Sequence, residues 1–201
     1  MDALAVNCSL KGEAGEESST QLLLSQIMET LDGHGAGGTI LRAVDRDIRP
    51  GVTSDEGDGD AWPAIRRAVL AADILVLGTP IWLGQPSSVC QRVLERMDAF
   101  LGEKDDEGRM PSYGHVALVA VVGNEDGAHH VSAQLYQALN DVGFTLAANA
   151  VVYWVGEAMG AIDYRELAEI PDAVRSAMDM AVSNAVHLAG LLGKAPYGPT
   201  G

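Results

Sequence analysis

The chain predicts an α/β protein, an open and mostly parallel sheet with helices on both faces. Three observations lead there. Strand-like and helix-like patterns alternate along all 201 residues, as right-handed strand-helix-strand units do. The run Ala72-Asp73-Ile74-Leu75-Val76-Leu77 is nearly continuously apolar and rich in branched residues, the mark of a strand buried on both faces. No linker-like break divides the chain and 47% of it is hydrophobic, so residues 1–201 read as one domain around one core.

Each element follows in order. Strand one is about Ala3 to Cys8. Helix one starts near Ser18 or Ser19, carries Leu23, Ile27 and Leu31 at helical spacing, and stops at Gly33. Strand two is Thr39 to Val44. Asp45 to Asp60 is polar and contains Pro50 and four acidic residues between 55 and 60, so it reads as a solvated loop before a helix through Ile65, Val69 and Ala72. Strand three leads into a proline- and glycine-containing loop, Gly78-Thr79-Pro80-Ile81-Trp82-Leu83-Gly84-Gln85, and helix three runs from about Pro86 to Leu101 with Val89, Val93 and Met97 on one face. After a second charged loop, Gly102 to Ser112, strand four spans His115 to Val122 and ends at Gly123-Asn124-Glu125-Asp126-Gly127. Helix four carries Val131, Leu135, Ala138 and Val142 and is ended by Gly143; strand five is about Leu146 to Trp154. The last helix, about Ile170 to Leu192, bears a stripe of Met178, Val182, Ala185, Ala189 and Leu192 that would cover one sheet face. Residues 193–201 read as a flexible or partner-dependent tail.

Charge narrows the partners. Lys plus Arg number 13 against 28 Asp plus Glu, a formal charge of −15, which repels phosphate backbones and anionic lipid headgroups at long range. Nucleic acid and membrane surfaces are therefore excluded as partners. Cys8 and Cys90 suit buried small side chains in a reducing compartment. With no basic and apolar leader and no uninterrupted apolar run of about 18 residues, the expectation is a soluble, cytoplasmic protein. Metal-ligand spacing is absent from the His and Cys positions, and no G-x-S-x-G elbow of a hydrolase follows a strand.

In a five-stranded sheet of order 2-1-3-4-5, strands one, three and four are central, so the loops that close them face one crevice at the carboxyl ends of the strands, where such folds bind ligands. Loop one, Asn7-Cys8-Ser9-Leu10-Lys11-Gly12, together with Ser18-Ser19-Thr20, offers hydroxyls, a lysine and the amides of a helix start, equipment for a phosphate. Loop two offers a proline and tryptophan wall. Loop three places Gly123 and Gly127 around Asn124, Glu125 and Asp126, so that backbone amides can approach a ring edge. A phosphate at one side and a flat apolar ring at the other describe flavin mononucleotide (FMN). Neither the G-x-G-x-x-G dinucleotide fingerprint nor the G-x-x-x-x-G-K-[ST] phosphate loop is present.

On Cys8-Ser9-Leu10-Lys11 with Ser18 to Thr20, Gly78 to Trp82 with Pro86-Ser87, and Gly123 to Gly127, the chain resembles the flavodoxin-like NAD(P)H-dependent FMN reductase and quinone reductase superfamily over about residues 3–192. The resemblance implies a flavodoxin-like three-layer fold. It further implies that Ser9, Lys11, Ser18, Ser19 and Thr20 hold the FMN phosphate, that Pro80, Ile81, Trp82, Leu83 and Gly84 flank the ring, and that Gly123, Asn124, Glu125, Asp126 and Gly127 edge it. One departure from the family pattern is the longer stretch Gly12 to Glu17. It brings Glu13, Glu16 and Glu17 near the phosphate position, so either these side chains point outward or the phosphate hydroxyls are others. The compact cysteine run of iron-sulfur relatives is missing.

The function so implied is an FMN-dependent oxidoreductase. It would take hydride from NADPH or NADH and pass two electrons to a quinone or similar flat small-molecule acceptor, the flavin rather than a side chain carrying the chemistry. The alternative is a flavodoxin-type electron carrier, which the negative charge suits. The apolar faces of helices three, four and the last suggest a homodimer or homotetramer. Four positions stay open between two roles. His129 and His130 meet a substrate or face water, and Tyr153 and Trp154 line the crevice rim or pack under the last helix.

Overall fold

In the computed structural model, which describes residues 1–15, 17–158 and 160–199, five parallel strands form the sheet. They are β1 (Asp2–Asn7), β2 (Gly37–Arg42), β3 (Ile74–Trp82), β5 (Val116–Gly123) and β6 (Thr145–Val155), in the order β2-β1-β3-β5-β6. A sixth strand, β4 (Gln85–Pro86), folds back antiparallel on β3. The five helices are α1 (Ser19–Gly33), α2 (Trp62–Ala71), α3 (Ser88–Met97), α4 (Ala128–Asp141) and α5 (Asp172–Leu192). The predicted order and layering hold, with strands four and five of the sequence reading now β5 and β6.

Strand alternation sorts the core into two layers. Ala3 and Ala5 of β1, Ile74 and Val76 of β3, and Val116, Leu118 and Ala120 of β5 face α1 and α5. Their alternates Leu4 and Val6, Leu75 and Leu77, and Ala117, Val119 and Val121 face α2, α3 and α4. Both faces are covered, which is why these strands read as unbroken apolar runs. Each buried Leu, Ile or Val contributes about 1.5–3 kcal/mol. The Met178, Val182, Ala185, Ala189 and Leu192 stripe of α5 lies in the first layer, and Val93 and Met97 of α3 with Val131 and Leu135 of α4 lie in the second. Those faces serve this chain's own core, so they give no support to an oligomer.

Three expectations are corrected. Gly78 to Trp82 is strand, not loop: the ladder with β5 continues through Gly78↔Ala120, Thr79↔Val121 and Pro80↔Val122. Pro80 is tolerated because β1 has its last pair at Asn7↔Gly78; beyond it the missing N–H interrupts no ladder bond. The tail does not dangle before residue 199, since Tyr197 packs edge-on against Tyr113 with ring centroids 5.7 Å apart, shares a 2.9 Å hydrogen bond with Thr145 Oγ1, and takes an Arg109 hydrogen bond on its carbonyl. Thr200 and Gly201 lie outside the described residues.

The acidic loop before α2 is the third correction, because it has a buried anchor. Asp60 and Arg96 pair at 2.8 Å with both side chains 0% exposed, and Arg96 also donates to the carbonyls of Arg49 and Thr53. Burial opposes the ionised form of Asp60, but Arg96 and the amides of Glu56, Trp62 and Arg49 outweigh it and hold the carboxyl well below the usual carboxylate range. With its pKa lowered on folding, Asp60 contributes stability that is present above the unfolded value of about 4 and is lost as pH falls below it. Arg96→Met, which strands the carboxylate, should cost about 3–5 kcal/mol by urea denaturation at pH 7, and the deficit should narrow on acidification. A cost below about 1 kcal/mol would contradict this account of the loop.

Candidate functional site

At the carboxyl edge of the sheet, the turn after β1, the β3–β4 hairpin and the turn after β5 surround a cavity of about 480 Å³, within the usual range for small-molecule sites. Its lining is chemically divided. Ser9, Lys11, Ser18, Ser19 and Thr20 form one end, while Pro80, Ile81, Trp82, Leu83, Gly123, Asn124 and Glu125 form the other.

The polar end is built on the start of α1. Ser18 is the N-cap: its hydroxyl accepts from the Gln21 amide at 2.9 Å and its carbonyl from the Leu22 amide at 3.1 Å. That leaves the first two amides, of Ser19 and Thr20, without an acceptor among the described residues, and they sit at the positive end of the helix dipole. Ser9 Oγ donates to the Lys11 carbonyl at 3.2 Å and the Ser9 amide to Asn7 Oδ1 at 2.9 Å, which shapes the turn. The lengthened loop is tied down from both sides. Arg42 donates to the Gly12 carbonyl at 3.0 Å, Asp45 accepts from the Glu13 amide, and Arg165 donates to the Glu17 carbonyl. Glu13 and Glu17 are consequently exposed and point outward, as one of the two sequence readings has it; Glu16 lies outside the described residues.

The apolar end is a hairpin held over the sheet edge. Trp82 and Gln85 pair across a two-residue turn in which both Leu83 (φ 53°) and Gly84 (φ 73°) are left-handed. That turn matches the twist of the strands but favours Asn-Gly, not Leu. The Glu125 carboxylate accepts the Leu83 amide at 2.7 Å and locks the turn. Behind it Gly127 lies against Gly84, whose Cα would be 3.2 Å from an added Cβ, and a Cβ on Gly123 would strike Ile81 at 2.9 Å. Glycine is needed there so that the hairpin and the turn after β5 can touch. Ser87 joins both ends of the site. Its hydroxyl donates to the Cys8 carbonyl at 2.5 Å and accepts from Cys90 N, while its amide donates to Thr79 Oγ1.

Twelve of the fifteen residues read as cofactor-binding are brought together around the cavity; Gly84, Asp126 and Gly127 stand outside its lining. Asp126 instead accepts from the Gly127 amide. Three lining residues were missed. Leu10 and Val122 adjoin predicted positions, whereas Asp163 arrives from a distant turn and accepts from Asn124 Nδ2 at 2.9 Å. Its only local signal is the capping box Asp163-x-x-Glu166. Neither His129 nor His130 lines the cavity; His129 shares a 3.1 Å hydrogen bond with the Tyr153 hydroxyl, and His130 interacts with Gln85 and Gln134. Trp154 packs on Tyr164 with centroids 5.4 Å apart. Cys8 and Cys90 are both free and buried; burial, with Cys90 adjacent, pushes the Cys8 thiol up.

A doubly wound parallel sheet with an anion-ready helix start and an apolar slot at its carboxyl edge defines a flavodoxin-like protein. Residues 1–159 match the NADPH-dependent FMN reductase family, and the chain belongs to it. FMN is the cofactor of that family and NADPH its reductant. The chain is 30% identical to the 8-demethyl-8-aminoriboflavin-5'-phosphate synthase of Streptomyces davaonensis over 207 residues, covering 98% of this chain and 80% of that protein. The crystal structure of RosB with bound 8-demethyl-8-formylriboflavin-5'-phosphate superposes with a TM-score of 0.90 at 30% identity, over 98% of this chain and 82% of that one. The apo NADH:FMN oxidoreductase EMOB shares the fold, with a TM-score of 0.66 at 17% identity over 94% of this chain and 89% of that one.

A divalent metal cation transporter, MntH of Mycobacterium bovis, is 39% identical over 160 residues, 78% of this chain; the chain spans only 23% of that protein's length. Among the described residues, no helix is long and apolar enough to cross a membrane, and no group of three or more His, Cys, Asp or Glu could hold a metal ion.

The left-handed Leu83 has a measurable consequence. Its side chain is 92% exposed, so replacement loses little packing, and Leu83→Asn should raise stability by about 0.5–1 kcal/mol in urea denaturation. A loss of stability would show that Leu83 is covered in solution.

Proposed function

We propose that this chain is an FMN-dependent oxidoreductase that uses NADPH or NADH as reductant and a quinone or similar flat small molecule as acceptor. The observation that carries the reading is the split lining of one cavity. A phosphate monoester fits the polar end, where two amides of a helix start, the hydroxyls of Ser9, Ser18, Ser19 and Thr20, and Lys11 converge, and where Glu13 and Glu17 face solvent. A flat ring fits the other end, against Pro80, Ile81 and Trp82.

Bound FMN would supply two-electron, hydride-accepting chemistry at its ring. The residues of the chain do the holding. Ser9, Lys11, Ser18, Ser19 and Thr20 bind the phosphate and so fix the ring's depth in the slot. Pro80, Ile81 and Trp82 orient the ring and exclude water from one face. Gly123, Asn124 and Glu125 border its edge, with Asn124 fixed by Asp163 and Glu125 by the Leu83 amide. Gly84, Asp126 and Gly127 keep the hairpin in place from behind. Trp82, 54% exposed, and Leu83 leave an apolar mouth on which nicotinamide and acceptor would stack in turn, at the 3–3.5 Å approach that hydride transfer needs, about van der Waals contact. The same exposed apolar residues support a homodimer or homotetramer in which a second copy borders the mouth and completes the pocket.

A second reading is favoured by the likeness to the aminoriboflavin phosphate synthase and to RosB. In it riboflavin phosphate is the substrate and its ring substituent is what changes. Both readings need the same cavity, and the mass of the recovered flavin separates them.

Purified protein given excess FMN and freed of the unbound fraction should be yellow, with flavin maxima in the near-ultraviolet and blue. Anaerobic NADPH or NADH should bleach the blue band and return FMN of unchanged mass. Flavin that stays oxidised would sink the reductase reading and leave an electron carrier; flavin of altered mass would establish the second reading. Ser9→Ala and Trp82→Ala should each weaken FMN binding about tenfold or more while the domain stays folded. Unchanged affinity in both would mean that FMN binds elsewhere.

A further inference from the structure

The structure assigns to Asn7 a role outside the cavity: we propose that it positions the phosphate cradle and so sets the preference for a phosphorylated over an unphosphorylated flavin. The inference rests on the FMN reading above. Asn7 is the last residue of β1 and is 0% exposed, yet polar. A buried amide must be satisfied, and both of its ends are. Asn7 Oδ1 accepts from the Ser9 amide at 2.9 Å, and Asn7 Nδ2 donates to Gln21 Oε1 at 2.9 Å.

These two bonds span the two halves of the cradle. Ser9 belongs to the turn after β1. Gln21 is in the first turn of α1, and its own amide donates to Ser18 Oγ. Asn7 thus fixes the strand-end hydroxyl relative to the helix-start amides without lining the cavity itself. By taking the Ser9 N–H, it also fixes the turn in which Ser9 Oγ donates to the Lys11 carbonyl at 3.2 Å.

Neutrality is the second part of the argument. A carboxylate of the same shape could accept from Ser9 and, after Gln21 turned its amide over, from Gln21 as well. It would satisfy the same geometry as Asn but put a buried negative charge behind an anion site. Asn is the side chain that keeps the bridge and spares the phosphate.

Asn7→Asp therefore separates charge from shape. Full-length wild type, Asn7→Asp and Gln21→Ala are titrated with FMN and, separately, with riboflavin by flavin fluorescence at pH 8, with urea denaturation alongside. Asn7→Asp should weaken FMN at least about tenfold while riboflavin changes by less than about threefold, because only the phosphate meets the new charge. Gln21→Ala keeps the test decisive if Asn7→Asp fails to fold. It removes the helix side of the bridge at a partly exposed position and should lower the FMN-to-riboflavin affinity ratio about threefold or more. Equal losses for both flavins would reduce Asn7 to structural support and overturn the proposal, as would an unchanged ratio in the folded variants. Wild type that binds neither flavin would overturn the reading of the site as well.

Discussion

The parallel ladder joining β1, β3 and β5 is the constraint from which the site follows. Asn7 pairs with Gly78 and Gly78 with Ala120, so the three strands run in register to a common edge. β1 stops there, whereas β3 stays paired with β5 as far as Pro80↔Val122 and then runs on to Trp82 paired with β4. That mismatch makes the cavity. The space left beyond β1 is floored by the start of α1, and the overhanging β3–β4 hairpin walls it. A cradle for an anion and a slot for a ring arise from one step in strand length.

Holding the overhang costs local strain that the surroundings offset. Leu83 in the left-handed region is unfavourable by about 1 kcal/mol, and the hairpin has only two residue pairs to support it. The Glu125 carboxylate on the Leu83 amide, the Gly84–Gly127 contact and the Ser87 hydroxyl on the Cys8 carbonyl compensate. The last of these bonds links the hairpin's return to the turn that carries Ser9. The two ends of the cavity are therefore one mechanical unit, which suits a ligand gripped at both.

Much of this is legible in the sequence because it depends on local chemistry. Continuous runs such as Ile74 to Leu77 declare strands covered on both faces, and the spacing of Leu23, Ile27 and Leu31 declares a helix. Ser18 before an apolar periodic run declares a helix start. What escapes reading depends on partners far along the chain. Pro80 and Gly78 suggest a loop until β5 lies beside them. Asp60 looks like one solvated acid among four, and only Arg96, 36 residues on, makes it an internal anchor. Asp163 reaches the cavity from a turn with no motif beyond its cap. Gly127 reads in the sequence as a close approach to a ring edge and Gly84 as a flank of the ring, whereas in the fold the two lie against each other, one turn on the other.

Amide NMR of the helix start tests the central claim most directly. If the cavity grips a flavin by its phosphate, the Ser19 and Thr20 N–H resonances move downfield when FMN is added and move far less with riboflavin, since those amides gain an anionic acceptor only from the phosphate. Ser19 and Thr20 resonances that stay in place while amides elsewhere shift would place the ligand in another part of the molecule and contradict the account.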